Sequence, residues 1–158
     1  MPPDELLFAA KVDDLYAEHI ASIDEGEFDR WLELFTEDCH YEIKPRENEI
    51  AGLPIPLLLC RNRAMLVDRI VALRRANIYQ PHVYRHFVSG RRIAREGAGA
   101  AVTANYLVIQ TLQDGESRIY QAGRYRDEIV EAAGRLKFRR KVAIYDTSRV
   151  QTLLVTPV

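Results

Sequence analysis

Apolar positions recur at intervals of three and four near the start of the chain. Phe8, Val12, Leu15, Tyr16 and Ile23 share one face with His19, and charged residues fill the others, a spacing that predicts an amphipathic helix. Gly26 is a natural stop, because glycine accepts the left-handed conformation that follows a last helical turn. A second, shorter helix is predicted with Phe28, Trp31, Leu32 and Phe35 on one face. The period then changes to two. Cys39, Tyr41 and Ile43 alternate with His40, Glu42 and Lys44, which predicts a strand.

Residues 45–60 hold three prolines and one glycine and read as an irregular loop. Asn62 can cap a third helix, whose apolar stripe is Leu66, Val67, Ile70, Val71 and Leu73 and whose end falls near Ala76. After Pro81 the chain reads as a meander of long strands, broken at Glu96-Gly97, Asp114-Gly115 and Ala133-Gly134. In the last strand Leu136, Phe138, Val142 and Ile144 are expected to face one way, and Lys137, Arg139 and Lys141 the other. Helices first and antiparallel strands afterwards predict an α+β fold, with the helices packed on one face of a curved sheet.

Length and composition narrow the class. A chain of 158 residues makes one domain, 1–158, and is long enough to bury roughly two-thirds of its unfolded surface. A net charge of -1 offers no general attraction to nucleic acid or to an anionic membrane. Basic residues cluster only locally, at Arg91-Arg92 and Arg139-Arg140-Lys141, where a solvated strand face is the simplest expectation. Two cysteines without paired spacing suggest neither a disulfide framework nor a zinc cage. The acidic, amphipathic N-terminus does not read as a secretory signal, and the uncharged run at residues 50–60 is too short to span a bilayer. A cytoplasmic protein is expected.

His82 and His86 stand four residues apart in YQPHVYRHF, the spacing of helical metal ligands. On a strand the same spacing separates them by about 13 Å, too far to share one ion. Cys39 beside His40 resembles a nucleophile with its base, yet neighbouring strand residues point to opposite faces. No Rieske-type ligand run, P-loop, GxGxxG or GxSxG is present. One enzyme reading stays open. Tyr16 and His19 would point into a cup between helices and sheet, where a tyrosine, a histidine and a carboxylate could move protons; a buried, hydrogen-bonded structural pair is the other reading.

Residues 65–90, MLVDRIVALRRANIYQPHVYRHFVSG, resemble the small (β) subunits of aromatic-ring-hydroxylating dioxygenases of the terephthalate type. Residues 44–60, KPRENEIAGLPIPLLLC, resemble the corresponding part of salicylate 5-hydroxylase small subunits. LFTEDCHYEI and the ending FRRKVAIYDTSRVQTLLVTPV are similar to the same family, so the likeness covers nearly the whole chain. The resemblance implies a cone like that of nuclear transport factor 2 and cystatin (NTF2-like). It also implies a non-catalytic β subunit, self-associating as a trimer within an α3β3 hexamer. The Rieske [2Fe-2S] cluster and mononuclear iron would lie in the partner α subunit, fed from NAD(P)H through a reductase, and would act on an aromatic acid. Catalytic, cofactor-binding and metal residues are then expected to be none in this chain. Arg75, Tyr84, Arg85 and His86 become candidate interface residues. The rivals are a free-standing isomerase or dehydratase using Tyr16 and His19, and a small-molecule binding module of the same fold.

Overall fold

The computed structural model describes residues 1–52, 56–75, 82–146 and 157–158. In chain order the elements are α1 (Pro3–Asp24), α2 (Phe28–Leu32), β1 (Phe35–Pro45), α3 (Arg46–Ile50), β2 (Leu58–Cys60), α4 (Arg63–Arg75), β3 (His82–Glu96), β4 (Gly99–Leu112), β5 (Ser117–Ala132) and β6 (Arg135–Tyr145). The strands form one six-stranded sheet in the order β2-β1-β6-β5-β4-β3. Every neighbouring pair is antiparallel except β1 and β6, which run parallel. Among the described residues no helix is long and apolar enough to cross a membrane.

Local chemistry accounts for the helices. Pro3 occupies the first turn of α1, where its missing N–H costs nothing, and Asp4 and Glu5 complement the positive end of the helix dipole. At the other end Glu27 N–H bonds Ser22 O at 2.8 Å and Gly26 N–H bonds Ile23 O at 3.2 Å, with Gly26 at φ +71°. This paired closure is the Schellman motif, which needs a residue tolerant of positive φ at that position. All six residues expected on the inner face of α1 are buried, as is Ser22. Asn62 caps α4 as expected, its Oδ1 accepting the Met65 N–H at 2.9 Å.

Several expectations change. Phe35 opens β1 and does not extend α2. The stretch read as an irregular loop contains α3 and the short strand β2, which pairs with β1 through Tyr41↔Cys60 and Ile43↔Leu58. Proline at position 45 stopped the sequence reading there, yet it ends β1 just before α3 begins at Arg46. Val71 lies on the solvent side of the α4 stripe, where Leu66 and Ile70 are the buried pair. The expected helix end at Ala76 and the break at Pro81 lie outside the described residues.

The largest correction falls on β6. Glu128 pairs with Arg140, but the next residue, Ile129, pairs with Phe138. Arg139 is therefore the extra residue of a bulge, and it reverses the facing of everything beyond it. Phe138 and Lys141 both turn inward, and Lys141 is buried. Strict alternation had placed it on a solvated face. The three hairpin turns fall where expected, with Gly97, Gly115 and the Ala133-Gly134 pair at positive φ.

The core lies between α1, α2, α4 and the inner sheet face. Trp31 is at its centre, with its ring centroid 4.7 Å from Phe35 and 5.6 Å from Tyr41. Tyr41 Oη donates to Val158 O at 2.8 Å and accepts Val158 N–H at 3.0 Å.

A buried polar cluster under the first helix

Beneath α1 the sheet presents polar groups where a core would ordinarily hold aliphatic ones. Asp127 of β5 sits directly across the strand from Lys141 of β6, a pairing that the Arg139 bulge creates. Lys141 Nζ donates to Asp127 Oδ2 at 2.9 Å, and both side chains are fully buried. From α1 above, Tyr16 Oη donates a short hydrogen bond to the same oxygen. The ammonium also lies 3.6 Å from the Tyr125 ring centroid, 4.4 Å from Phe138 and 5.0 Å from Tyr16. Aromatic faces thus replace part of the hydration that Lys141 loses.

Burial pushes the Asp127 carboxyl above its ordinary range, an effect that Lys141 and Tyr16 oppose. The same burial lowers Lys141, and Asp127 opposes that too. Tyr16 is raised by burial and then by the adjacent carboxylate, so its phenol stays protonated and serves as donor.

One turn further along α1, His19 Nδ1 accepts the Trp31 Nε1–H at 2.9 Å. That bond assigns the remaining ring proton to Nε2, which faces Tyr125 Oη at 3.5 Å. Burial holds His19 well below its ordinary pKa, with Lys141 and then His86 adding to the effect. The ring is neutral. At the end of α1, Asp24 accepts from the backbone N–H of His86 at 3.0 Å, and its other oxygen lies 2.6 Å from His86 Nδ1. The last turn of α1 is thereby tied to β3.

The neutrality of His19 has a measurable consequence. Because its pKa is lower folded than unfolded, the unfolded chain takes up a proton below the ordinary value of 6.5 that folded His19 refuses. Stability should then fall as pH drops below that value, by up to about 1.4 kcal/mol per pH unit for this one group. His19→Gln should flatten the urea-measured slope between about pH 6.5 and 5; an unchanged slope contradicts this assignment.

Tyr16 and His19 do enter one cup, as their place on α1 predicted, but each is bonded to a different partner. Asp127, Lys141 and Asp24 were not singled out from the sequence. Asp127 was legible, since it falls between Tyr125 and Ile129 in the strand's inward phase; the bulge concealed Lys141. Of the candidate interface residues, Arg75 and Arg85 are exposed, whereas Tyr84 and His86 turn into the cup and are buried. His82 and His86 do lie on a strand, with His86 Nδ1 committed to Asp24. Cys39 is buried with its thiol pushed up to about 12, while His40, on the opposite face of β1, lies 2.9 Å from Glu42. Among the described residues no three His, Cys, Asp or Glu side chains gather as a metal site requires. Surface clefts of about 260, 370 and 450 Å³ are lined by other residues.

Comparison with known proteins places this architecture. Residues 4–142 match the SnoaL-like domain. The chain is 50% identical over 141 residues to the anthranilate 1,2-dioxygenase small subunit of Burkholderia cepacia, covering 89% of this chain and 88% of that one. It is 30% identical over 142 residues to subunit beta 1 of the terminal oxygenase component of terephthalate 1,2-dioxygenase from a Comamonas species, covering 89% and 92%. A crystal structure from Novosphingobium aromaticivorans, described as the beta subunit of an aromatic-ring-hydroxylating dioxygenase, superposes with a TM-score of 0.89 at 38% identity. That superposition covers 98% of this chain and 99% of the other. The cone expected from the sequence is thus the NTF2-like fold, and the chain belongs to the SnoaL-like domain family and, within it, to the small subunits of aromatic-ring-hydroxylating dioxygenases.

Proposed function

We propose that this chain, as a single domain over residues 1–158, is the non-catalytic small subunit of a Rieske-type oxygenase acting on an aromatic acid. The observation that carries the non-catalytic part is the mutual occupation of the buried cluster. Tyr16 and Lys141 each donate a hydrogen bond to one Asp127 oxygen. His19 has one nitrogen filled by Trp31 and the other against Tyr125. A general acid or base needs an atom within reach of a substrate proton, and these atoms already face one another, while Asp127 Oδ1 and His86 Nε2, which have no partner among the described residues, are buried from solvent. An isomerase or dehydratase would need Tyr16 and His19 free.

In this reading aromatic substrate, O2, the Rieske cluster and the mononuclear iron meet in a large subunit, and NAD(P)H supplies electrons through a reductase. The family membership supports a large-subunit partner, and an α3β3 assembly built around a trimer of this chain fits it. Anthranilate and terephthalate, which the relatives' names carry, are both aromatic acids. That favours a carboxylated ring as substrate here, with its identity set by the large subunit.

Arg75 and Arg85 are exposed and can reach a partner directly, Arg85 from the sheet face turned away from the helices. Tyr84 and His86 support such a contact from beneath by fixing β3. Arg85→Ala should weaken assembly by about 1–2 kcal/mol, enough to shift the hexamer population at micromolar concentration in native mass measurements. Unchanged mass and turnover would remove Arg85 from the interface.

The reading is tested by co-expressing this chain with the large subunit of an aromatic-ring-hydroxylating dioxygenase from the same organism. Ring hydroxylation by the complex, with no isomerase or dehydratase turnover by the isolated chain, is expected. Activity of the isolated chain that is lost in Tyr16→Phe would overturn it.

A further inference from the structure

The sheet face turned away from the helices has two contrasting halves. Toward one end Val83, Phe87 and Ile119 are each more than half exposed. They form one strip with Leu107 and Ile109, because Phe87 pairs with Leu107, and Ile109 with Ile119. Further along the same strands the face turns cationic, one outward row past Leu107 at Arg124 and two rows past it at Arg92. Arg92 lies across from Thr103, and Arg124 across from Asn105. Both arginines line a cleft of about 450 Å³ with Gly90, Thr103 and Asn105.

Neither guanidinium has an ion-pair or hydrogen-bond partner among the described residues, whereas Arg126 and Arg46 beside them hold Glu49 and Asp146. Gly90 keeps the cleft open. It adopts φ +61°, and a Cβ there would stand 2.9 Å from Asn105 Nδ2. An exposed apolar strip bordered by free arginines has the make-up of a protein interface. It calls for carboxylates placed one short step from apolar side chains.

The first turns of α1 carry that arrangement. Leu6 and Leu7 are more than half exposed, and the Asp4 and Glu5 carboxylates have no partner among the described residues. Asp4 and Leu7, three apart, share a helix face about 5–6 Å from each other. Successive outward rows on the sheet are about 7 Å apart, so a turn with its carboxylate at Arg124 can set a leucine on the adjacent Leu107 and Phe87 row. Because α1 packs on the other side of the sheet, socket and plug belong to different surfaces, and a head-to-tail contact of this kind can close into a ring.

We propose that the outer sheet face of one copy receives the Asp4–Leu7 turn of a second copy, with carboxylates against Arg92 and Arg124 and leucines against Phe87 and Leu107. This rests on the self-association in the functional reading above and names its surfaces. The test is the native mass of the full chain by light scattering, with capture by the large subunit measured in parallel. R92E/R124E and D4R/E5R are each expected to reduce the oligomer to single chains, and combining all four substitutions should restore it, which a mere folding defect would not do. Unchanged mass in either pair, or no restoration in the combination, overturns the proposal and leaves the small-subunit reading standing. Retained self-association with lost capture by the large subunit also overturns it, reassigning the face to that partner. A wild-type chain that neither self-associates nor is captured would defeat both.

Discussion

Lys141→Met should destabilise the chain by about 3–5 kcal/mol, a large share of a small domain's total stability. The loss does not measure the worth of the ion pair. Removing the ammonium leaves Asp127 buried and charged with only Tyr16 and the Val142 backbone N–H to hold it, in a site that already disfavours its ionised form. Methionine roughly matches the lysine stem in volume, so cavity formation adds little. Asp127→Leu should cost a similar amount, since it strands Lys141 among Tyr125, Phe138 and Tyr16. If the cluster is scaffold, removing it whole should be milder than removing one member. A Tyr16→Phe, Asp127→Leu, Lys141→Met triple variant is expected to recover most of the loss in urea unfolding and to keep its capture by the large subunit. A triple variant as unstable as the sum of its parts would contradict this, because buried polar groups replaced together leave nothing unpaired.

Gly123→Ala is expected to be at least as damaging, for a steric reason. Gly123 lies on β5 across from Tyr145 of β6 and Tyr106 of β4. A Cβ at position 123 would stand 2.0 Å from the Ile144 carbonyl oxygen and 2.7 Å from Tyr145 Cα. Both are backbone atoms of the neighbouring strand, so no rotamer change relieves the overlap and the two strands must part. A cost of about 3 kcal/mol or more follows, visible as a lower melting temperature or as insoluble expression. Gly115→Ala is the control. Open space surrounds that position and only its φ of +90° resists a side chain, so about 1 kcal/mol is expected. Equal losses at the two sites would contradict the close approach at Gly123.

Legibility in the sequence followed the regularity of the backbone. The inner face of α1 could be read completely, because a helix of 22 residues keeps one period throughout. The alternation of Cys39, Tyr41 and Ile43 was equally plain, and their shared burial follows from it. Hairpins at Asp114-Gly115 and Ala133-Gly134 were readable because their turns demand residues tolerant of positive φ. Lys141 was hidden by a single inserted residue. The Arg139 bulge leaves no mark in composition, and a run of three basic residues reads as solvated until the register with β5 is known. The helix α3 and strand β2 were hidden by prolines at segment ends, which resemble loop punctuation. The cup was legible from Tyr16 and His19 as a place, but not as a network, because Asp127 and Tyr125, which meet them from the sheet, lie more than 100 residues away.

The most direct test of the central claim, that chemistry resides in a partner and this chain supports it, is an affinity pull-down of the tagged chain from its native cell. Native mass and visible absorbance would be recorded on the product. The expected result is a coloured complex with Rieske-type absorbance and equal numbers of large and small chains. A colourless assembly of this chain alone, with no large subunit in it, would contradict the claim.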